Sequence, residues 1–252
     1  MPLLVTEPAR HVVQITIDEP AKMNAMSRQM MAELCELWDR LDADPACRAI
    51  VTTGTGDRAF CAGADLSGDL TASEEMAAIV NKSLLKLTPF SKPIVAAVNG
   101  TCAGGGIEFM LAADIRYAAE HAKFGLPEVK WGVYPFGGAA TKLVRQIGYV
   151  HTMDLILTAR MISAAEAAKI NLVNEVLPKE QVLEKAIATA SMIAANAPPA
   201  VQAVKQQIST MLTSEAAEHE ARDQALGDKV RASAEFQEGI NAFREKRTPD
   251  YG

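Results

Sequence analysis

Along the first two thirds of the chain, hydrophobic positions recur with two different periods. Residues 11–18 (HVVQITID) alternate β-branched and polar side chains, the period of a half-buried strand, and Pro20 ends the run. Ser27 is a good N-cap, and Met30, Met31, Leu34, Leu37 and Leu41 follow at helical spacing. This predicts a helix to about Leu41, with its methionine-rich side in the core. Methionine also suits a flexible acyl pocket, so Met23, Met26, Met30 and Met31 admit that second role. Residues 49–53 form a short apolar strand, followed by the turn-rich stretch 54–58. Residues 93–98 (PIVAAV) predict another buried strand, after which Gly104 to Gly106 lead into an apolar helix over residues 107–113. Strands alternating with helices predict an α/β fold.

From about Ala164 the pattern changes. Ser163 caps a short helix, residues 173–176 predict a last strand, and nearly everything after Pro178 is helix-forming. Helices are expected over 179–196, 199–212, 214–231 and 234–246. Residues 1–197 thus read as a core and 198–252 as a helical region that covers the core or mediates assembly.

Composition narrows the possibilities. The 252 residues are 49% hydrophobic, enough for a sizeable core, and carry a net charge of −6. That balance, without a Lys/Arg stripe, argues against nucleic acid as a partner and leaves a small anionic ligand open. Cys35, Cys47, Cys61 and Cys102 form no CxxC pair and have no histidine cluster beside them. Free thiols in a reducing compartment are expected, rather than a metal site or disulfide framework. Residues 1–10 contain Pro2, Glu7 and Pro8 and no apolar signal core, and no apolar run approaches the roughly 20 residues of a membrane helix. A cytoplasmic location is the expectation.

Three segments carry candidate chemistry. RAFCAGADL (58–66) follows a strand, and its small residues allow a ligand close to the backbone; taken alone, an ordinary strand-to-helix turn is the better reading. NGTCAGGGIE (99–108) places bare N–H groups at a helix N-terminus, a good place for an oxyanion. Glycine runs of this kind also occur in nucleotide sites and in close-packed turns. Here the glycines do not form GxGxxG, which removes the dinucleotide reading. Glu108 stands beside Phe109, Met110 and Leu111, an apolar setting that raises a carboxyl pKa unless the group is paired. In FGLPEV (124–129), Pro127 fixes the backbone before Glu128, which alone reads as an exposed loop acid. Two carboxylates with two aimed backbone donors would make an acid/base site around an oxyanion hole. Trp131 and Tyr134 are expected to pack in the core or shape a pocket. His11, His121, His151 and His219 are scattered and lack a nucleophile motif.

In order along nearly the whole chain, ITIDEPAKMNAM, RAFCAGADL, KPIVAAVNGTCAGGGIE, FGLPEVKWGVYP, LTARMISAAEAAKINLVNEVLP and EGINAFREKRTPDY make the sequence resemble the enoyl-CoA hydratase/isomerase (crotonase) family. The resemblance implies a spiral of strand-strand-helix units with a helical C-terminal region for trimerisation, as a homotrimer or a dimer of trimers. It implies an acyl-CoA thioester substrate and no separate cofactor, coenzyme A being part of the substrate, and no metal. By the same resemblance, the amides of Ala64 and Gly105 form the oxyanion hole, and Glu108 and Glu128 are the catalytic acids. The presence of both acids favours hydration over isomerisation or another crotonase-type reaction. Lys22, Met23, Ala25, Ala62, Asp65 and Leu66 lie along coenzyme A, and Phe243 and Lys246 reach its adenine end from a neighbouring subunit. Trp131, Pro135 and Phe136 border the acyl group. Phe136 stands where the family has glycine, so its bulk is expected to reshape the acyl pocket.

Overall fold

The computed structural model describes residues 2–65 and 73–252. In chain order the elements are β1 (Leu3–Ala9), β2 (Val12–Ile17), α1 (Arg28–Ala43), β3 (Ala49–Gly54), β4 (Ala59–Cys61), α2 (Glu74–Ser83), β5 (Ile94–Val98), β6 (Thr101–Ala103), α3 (Gly105–Met110), β7 (Ile115–Ala119) and β8 (Lys123–Gly125). Then come a 3₁₀ turn (Glu128–Trp131), α4 (Ala139–Ile147), α5 (Tyr149–Thr158), β9 (Ile162–Ser163), α6 (Ala164–Lys169), β10 (Glu175–Leu177), α7 (Lys179–Ala195), α8 (Pro198–Arg231) and α9 (Ala234–Glu245).

One sheet has the order β1-β2-β3-β5-β7-β10 and a second the order β4-β6-β8-β9. Each successive unit gives its first strand to the larger sheet and its second to the smaller: β3 then β4, β5 then β6, β7 then β8. Strands β2, β3, β5, β7 and β10 pair in parallel, as do β4, β6 and β8. This is the spiral of paired strands and helices, an α/β fold with a helical C-terminal region. Every residue of β3 and β5 is buried, as expected of strands covered on both faces. The amphipathic face of α1 buries Met30, Met31, Leu34, Leu37, Trp38 and Leu41, and Ser27 Oγ accepts from Met30 N–H at 3.2 Å. Helix α7 turns Val182, Ala186, Ala190 and Ala194 inward, a small-residue face that lets it lie close on β3, β5 and β7. Cys47, Cys61 and Cys102 are buried and Cys35 half-buried, all as free thiols.

Three expectations need correcting. Helix α8 runs unbroken through Thr213, where two helices were expected, because Thr213 Oγ1 donates back to Ser209 O (2.9 Å) and Thr210 O (3.2 Å) instead of capping a new helix. Helix α3 starts at Gly105 and ends at Met110, short of residue 113, because the Ala112 and Ala113 amides turn back to Phe109 O and Met110 O. The last strand begins at Glu175 rather than Val173, whose amide is taken by Ala167 O.

Candidate active site

The site lies where the ends of β4 and β6 meet. After β4, Met26 N–H donates to Gly63 O (2.8 Å) and Asp65 N–H to Met26 O (2.9 Å). This parallel bridge leaves the N–H of Ala64 itself on the opposite side, toward Gly105. After β6, Gly104 takes φ 55 and ψ −129, a conformation only glycine adopts without strain, and so opens α3 abruptly. Gly105 is the first helical residue, and its N–H has no acceptor within the helix. The two turns nearly touch. A methyl group built on Gly105 would lie 3.4 Å from Ala64 N, and one on Gly63 only 3.2 Å from Gly105 N.

Two acids border this pair of amides. Glu108, on the next turn of α3, is buried, and its Oε1 accepts from Ala139 N–H at the start of α4 (3.1 Å). Burial raises its pKa, while the Ala139 amide, Lys86 and Lys142 oppose that rise. Glu128 opens the 3₁₀ turn after Pro127, and a methyl group on Gly104 would sit 3.2 Å from its Oε1. The residue is partly exposed, yet its Oε2 is buried and has no hydrogen-bond partner among the described residues. Burial, and then repulsion from Glu108, push this carboxyl up to about 8. Far from being an exposed loop acid, Glu128 is held protonated at neutral pH beside Glu108, itself raised by burial. Two carboxyls set against two neighbouring main-chain amides can move protons around a carbonyl carbon chain while the amides stabilise charge on its oxygen.

The other expected residues fall into three groups. Lys22, Met23 and Ala25 run beside Ala62 and Asp65: Ala62 N–H donates to Met23 O (3.1 Å), and Lys22 Nζ pairs with Asp65 Oδ2 at 2.7 Å. Leu66 lies outside the described residues. Trp131 and Tyr134 are not core residues; both are partly exposed. Trp131 meets Phe243 of α9 edge to face at 5.2 Å within the same chain, and Lys246 caps the end of that helix. Pro135 is buried, and the Phe136 ring packs on Tyr134 (5.2 Å) with the Arg231 guanidinium 4.5 Å over its face. The ring is seated against α8 at Gly227, where a methyl group would come within 2.1 Å of it.

Several contributors went unread in the sequence. Asn24 is buried and positions the Lys22–Ala25 segment by donating to Ala59 O (2.7 Å) and Thr55 O (3.0 Å). Lys142 of α4 is half-buried and donates to Leu84 O (2.8 Å) and Leu85 O (3.1 Å); desolvation lowers its pKa to about 7. Lys86 is buried in the turn after α2. A lone lysine inside the apolar run LLKLTPF was the available signal for it.

Fold and site thus define an α/β spiral in which two glycine-containing turns meet beside a pair of carboxyls. The family model described as "Enoyl-CoA hydratase/isomerase" matches residues 7–252. An enoyl-CoA hydratase of Mycobacterium tuberculosis is 41% identical, covering 99% of this chain and 96% of the relative. A mevalonyl-coenzyme A hydratase of Aspergillus fumigatus is 38% identical over 98% of this chain and 94% of its own. The crystal structure of a carnitinyl-CoA hydratase from Mycobacterium avium superposes with a TM-score of 0.90 at 35% identity, covering 99% of this chain and 98% of the other. The chain belongs to the enoyl-CoA hydratase/isomerase family.

Proposed function

We propose that this protein is an enoyl-CoA hydratase, adding water across the 2,3 double bond of an acyl-CoA thioester. The observation that carries the proposal is the pair of carboxyls beside the Ala64 and Gly105 amides. The thioester oxygen is taken by those two N–H groups. Attack of water at C3 moves charge onto that oxygen as an enolate, and each preorganised donor contributes roughly 3–4 kcal/mol to the transition state. Glu108, raised by burial but opposed in that rise by the Ala139 amide, Lys86 and Lys142, is the base that takes the proton from water. Glu128, held protonated, delivers a proton to C2. Coenzyme A is part of the substrate, and the scheme uses no further cofactor. Hydrolysis through Cys61 is disfavoured, since burial pushes that thiol up to about 12 and keeps it protonated.

The Lys22–Ala25 and Ala62–Asp65 segments are assigned to coenzyme A, with Phe243 and Lys246 at its adenine end. A homotrimer, alone or paired, is the proposed assembly. Its support is the apolar surface on two helices: Tyr149, Val150 and Leu157 of α5 and Val204, Ile208 and Met211 of α8 are exposed in the single chain. A cytoplasmic location remains part of the proposal; among the described residues no helix is long and apolar enough to cross a membrane.

The test is the loss of conjugated-thioester absorbance across a panel of 2-enoyl-CoA substrates. Turnover on at least one chain length is expected. No loss with any of them, or full activity in both Glu108→Gln and Glu128→Gln, would overturn the proposal.

A further inference from the structure

Lys86 is 3% exposed, on the turn after α2. Removing an ammonium from water is unfavourable by several kcal/mol unless its partners are well placed. Its partners here are specific. Lys86 Nζ donates to Phe136 O at 3.0 Å and pairs with Glu220 Oε2 of α8 at 2.5 Å. The other oxygen of Glu220 accepts from Asn81 Nδ2 of α2 at 2.8 Å. The aliphatic stem of Lys86 lies along the same turn that its tip holds: a methyl group on Gly138 would come 3.0 Å from Lys86 Cγ.

On its other side this turn, residues 136–139, faces Glu108. A methyl group on Gly137 would come 2.4 Å from Glu108 Oε2, and Ala139 N–H holds Oε1. The turn is therefore gripped between Lys86 and Glu108. Gly138, at φ 96, leaves it no stiffness of its own. We infer that Lys86, anchored by Glu220, is a positioning residue for Glu108: it ties the C-terminal helix α8 to the turn whose amides orient the water-activating carboxylate. The inference rests on the role proposed above for Glu108.

Other charged and titratable groups face Glu108 too, namely Lys142 from α4, Glu128 from the 3₁₀ turn and Tyr134 after it. The experiment must therefore isolate Lys86. Lys86→Met, Lys86→Arg and Glu220→Gln are made in the full chain. The Glu108 carboxyl is followed by ¹³C NMR in glutamate-labelled protein, its signal identified by loss in Glu108→Gln. Turnover is measured on the best enoyl-CoA substrate.

For Lys86→Met and Glu220→Gln the expected result is a fall in kcat of about 10–100-fold, as for misplaced catalytic groups, with KM within about twofold. The Glu108 titration moves upward with them, and Lys86→Arg restores both quantities. Should Lys86→Met fail to fold, Glu220→Gln at its more exposed position carries the same test. An unmoved Glu108 titration, or kcat and KM changing in equal proportion, would overturn the inference. If the wild-type protein hydrated no enoyl-CoA, the hydratase proposal would fall, and the titration would still decide whether Lys86 positions Glu108.

Discussion

Replacing Glu128 with glutamine should make the protein more stable and nearly inactive. The carboxyl has a buried oxygen without a hydrogen-bond partner among the described residues and sits beside Glu108. Its midpoint is raised from 4.5 to about 8. A raised carboxyl binds its proton more tightly in the folded state than in the unfolded one. Its contribution is thus neutral below about pH 4.5 and becomes increasingly destabilising as pH rises toward 8. At about 1.4 kcal/mol for each pH unit between the two midpoints, the ceiling is about 5 kcal/mol. The residue is partly exposed, and solvent screening reduces this to about 1–3 kcal/mol at pH 9. For a chain of this size that corresponds to a gain in Tm of roughly 3–10 °C. Glutamine keeps the volume and removes the charge. Thermal denaturation of wild type and variant at pH 5 and pH 9 measures the effect, with a clear gain at pH 9 and little at pH 5. Turnover should fall about 10²–10⁴-fold through loss of the proton donor. An unchanged or lower Tm at pH 9, or retained turnover, would refute the reasoning.

Glu108→Gln keeps an acceptor for Ala139 N–H and loses the base; kcat should fall about 10²–10⁴-fold with little change in KM, read by steady-state kinetics. In the same variant the Glu128 titration should move down, since one source of its elevation is gone, and carboxyl NMR would show it. Gly63→Ala places a methyl group 3.2 Å from Gly105 N at a backbone φ of 104. It should displace one donor and lower kcat by about 10²–10³-fold, without loss of the folded circular-dichroism spectrum. Gly227→Ala ought to favour helix by propensity, yet its methyl group meets the Phe136 ring at 2.1 Å. Destabilisation of about 1–3 kcal/mol is expected in denaturant titration, relieved when Phe136 is also changed to leucine.

Much of the fold was legible because periodicity and caps agreed. The Ser27-capped helix and the buried strands at β3 and β5 have unambiguous patterns, and Ser163 does cap α6. The spiral order itself came from the resemblance, since no local signal tells a chain to send alternate strands to different sheets. Strands β4, β6, β8 and β9 are only two or three residues long, too short to show any period. Within the site, the glycine run before a helix start and the burial of Glu108 in an apolar run were readable locally, while the choice of Gly105 came from the resemblance. The elevation of Glu128 was not readable, because it arises from burial in the folded chain and then from Glu108, which is distant in sequence. Lys86 and Lys142 escaped for a related reason. Their partners are main-chain carbonyls and Glu220, brought together only by the packing of α2, α4 and α8. Phe136 stood out as a bulky residue where glycine was expected, and Gly227, in the middle of a long helix, is what makes room for it.

The most direct measurement is mass spectrometry of the product formed from a 2-enoyl-CoA in water enriched in ¹⁸O. Two amides, Glu108 as base and Glu128 as proton donor should yield an intact thioester heavier by one water, with the heavy oxygen in a new hydroxyl at C3. A product of unchanged mass, or free coenzyme A with the label in a carboxylic acid, would contradict it.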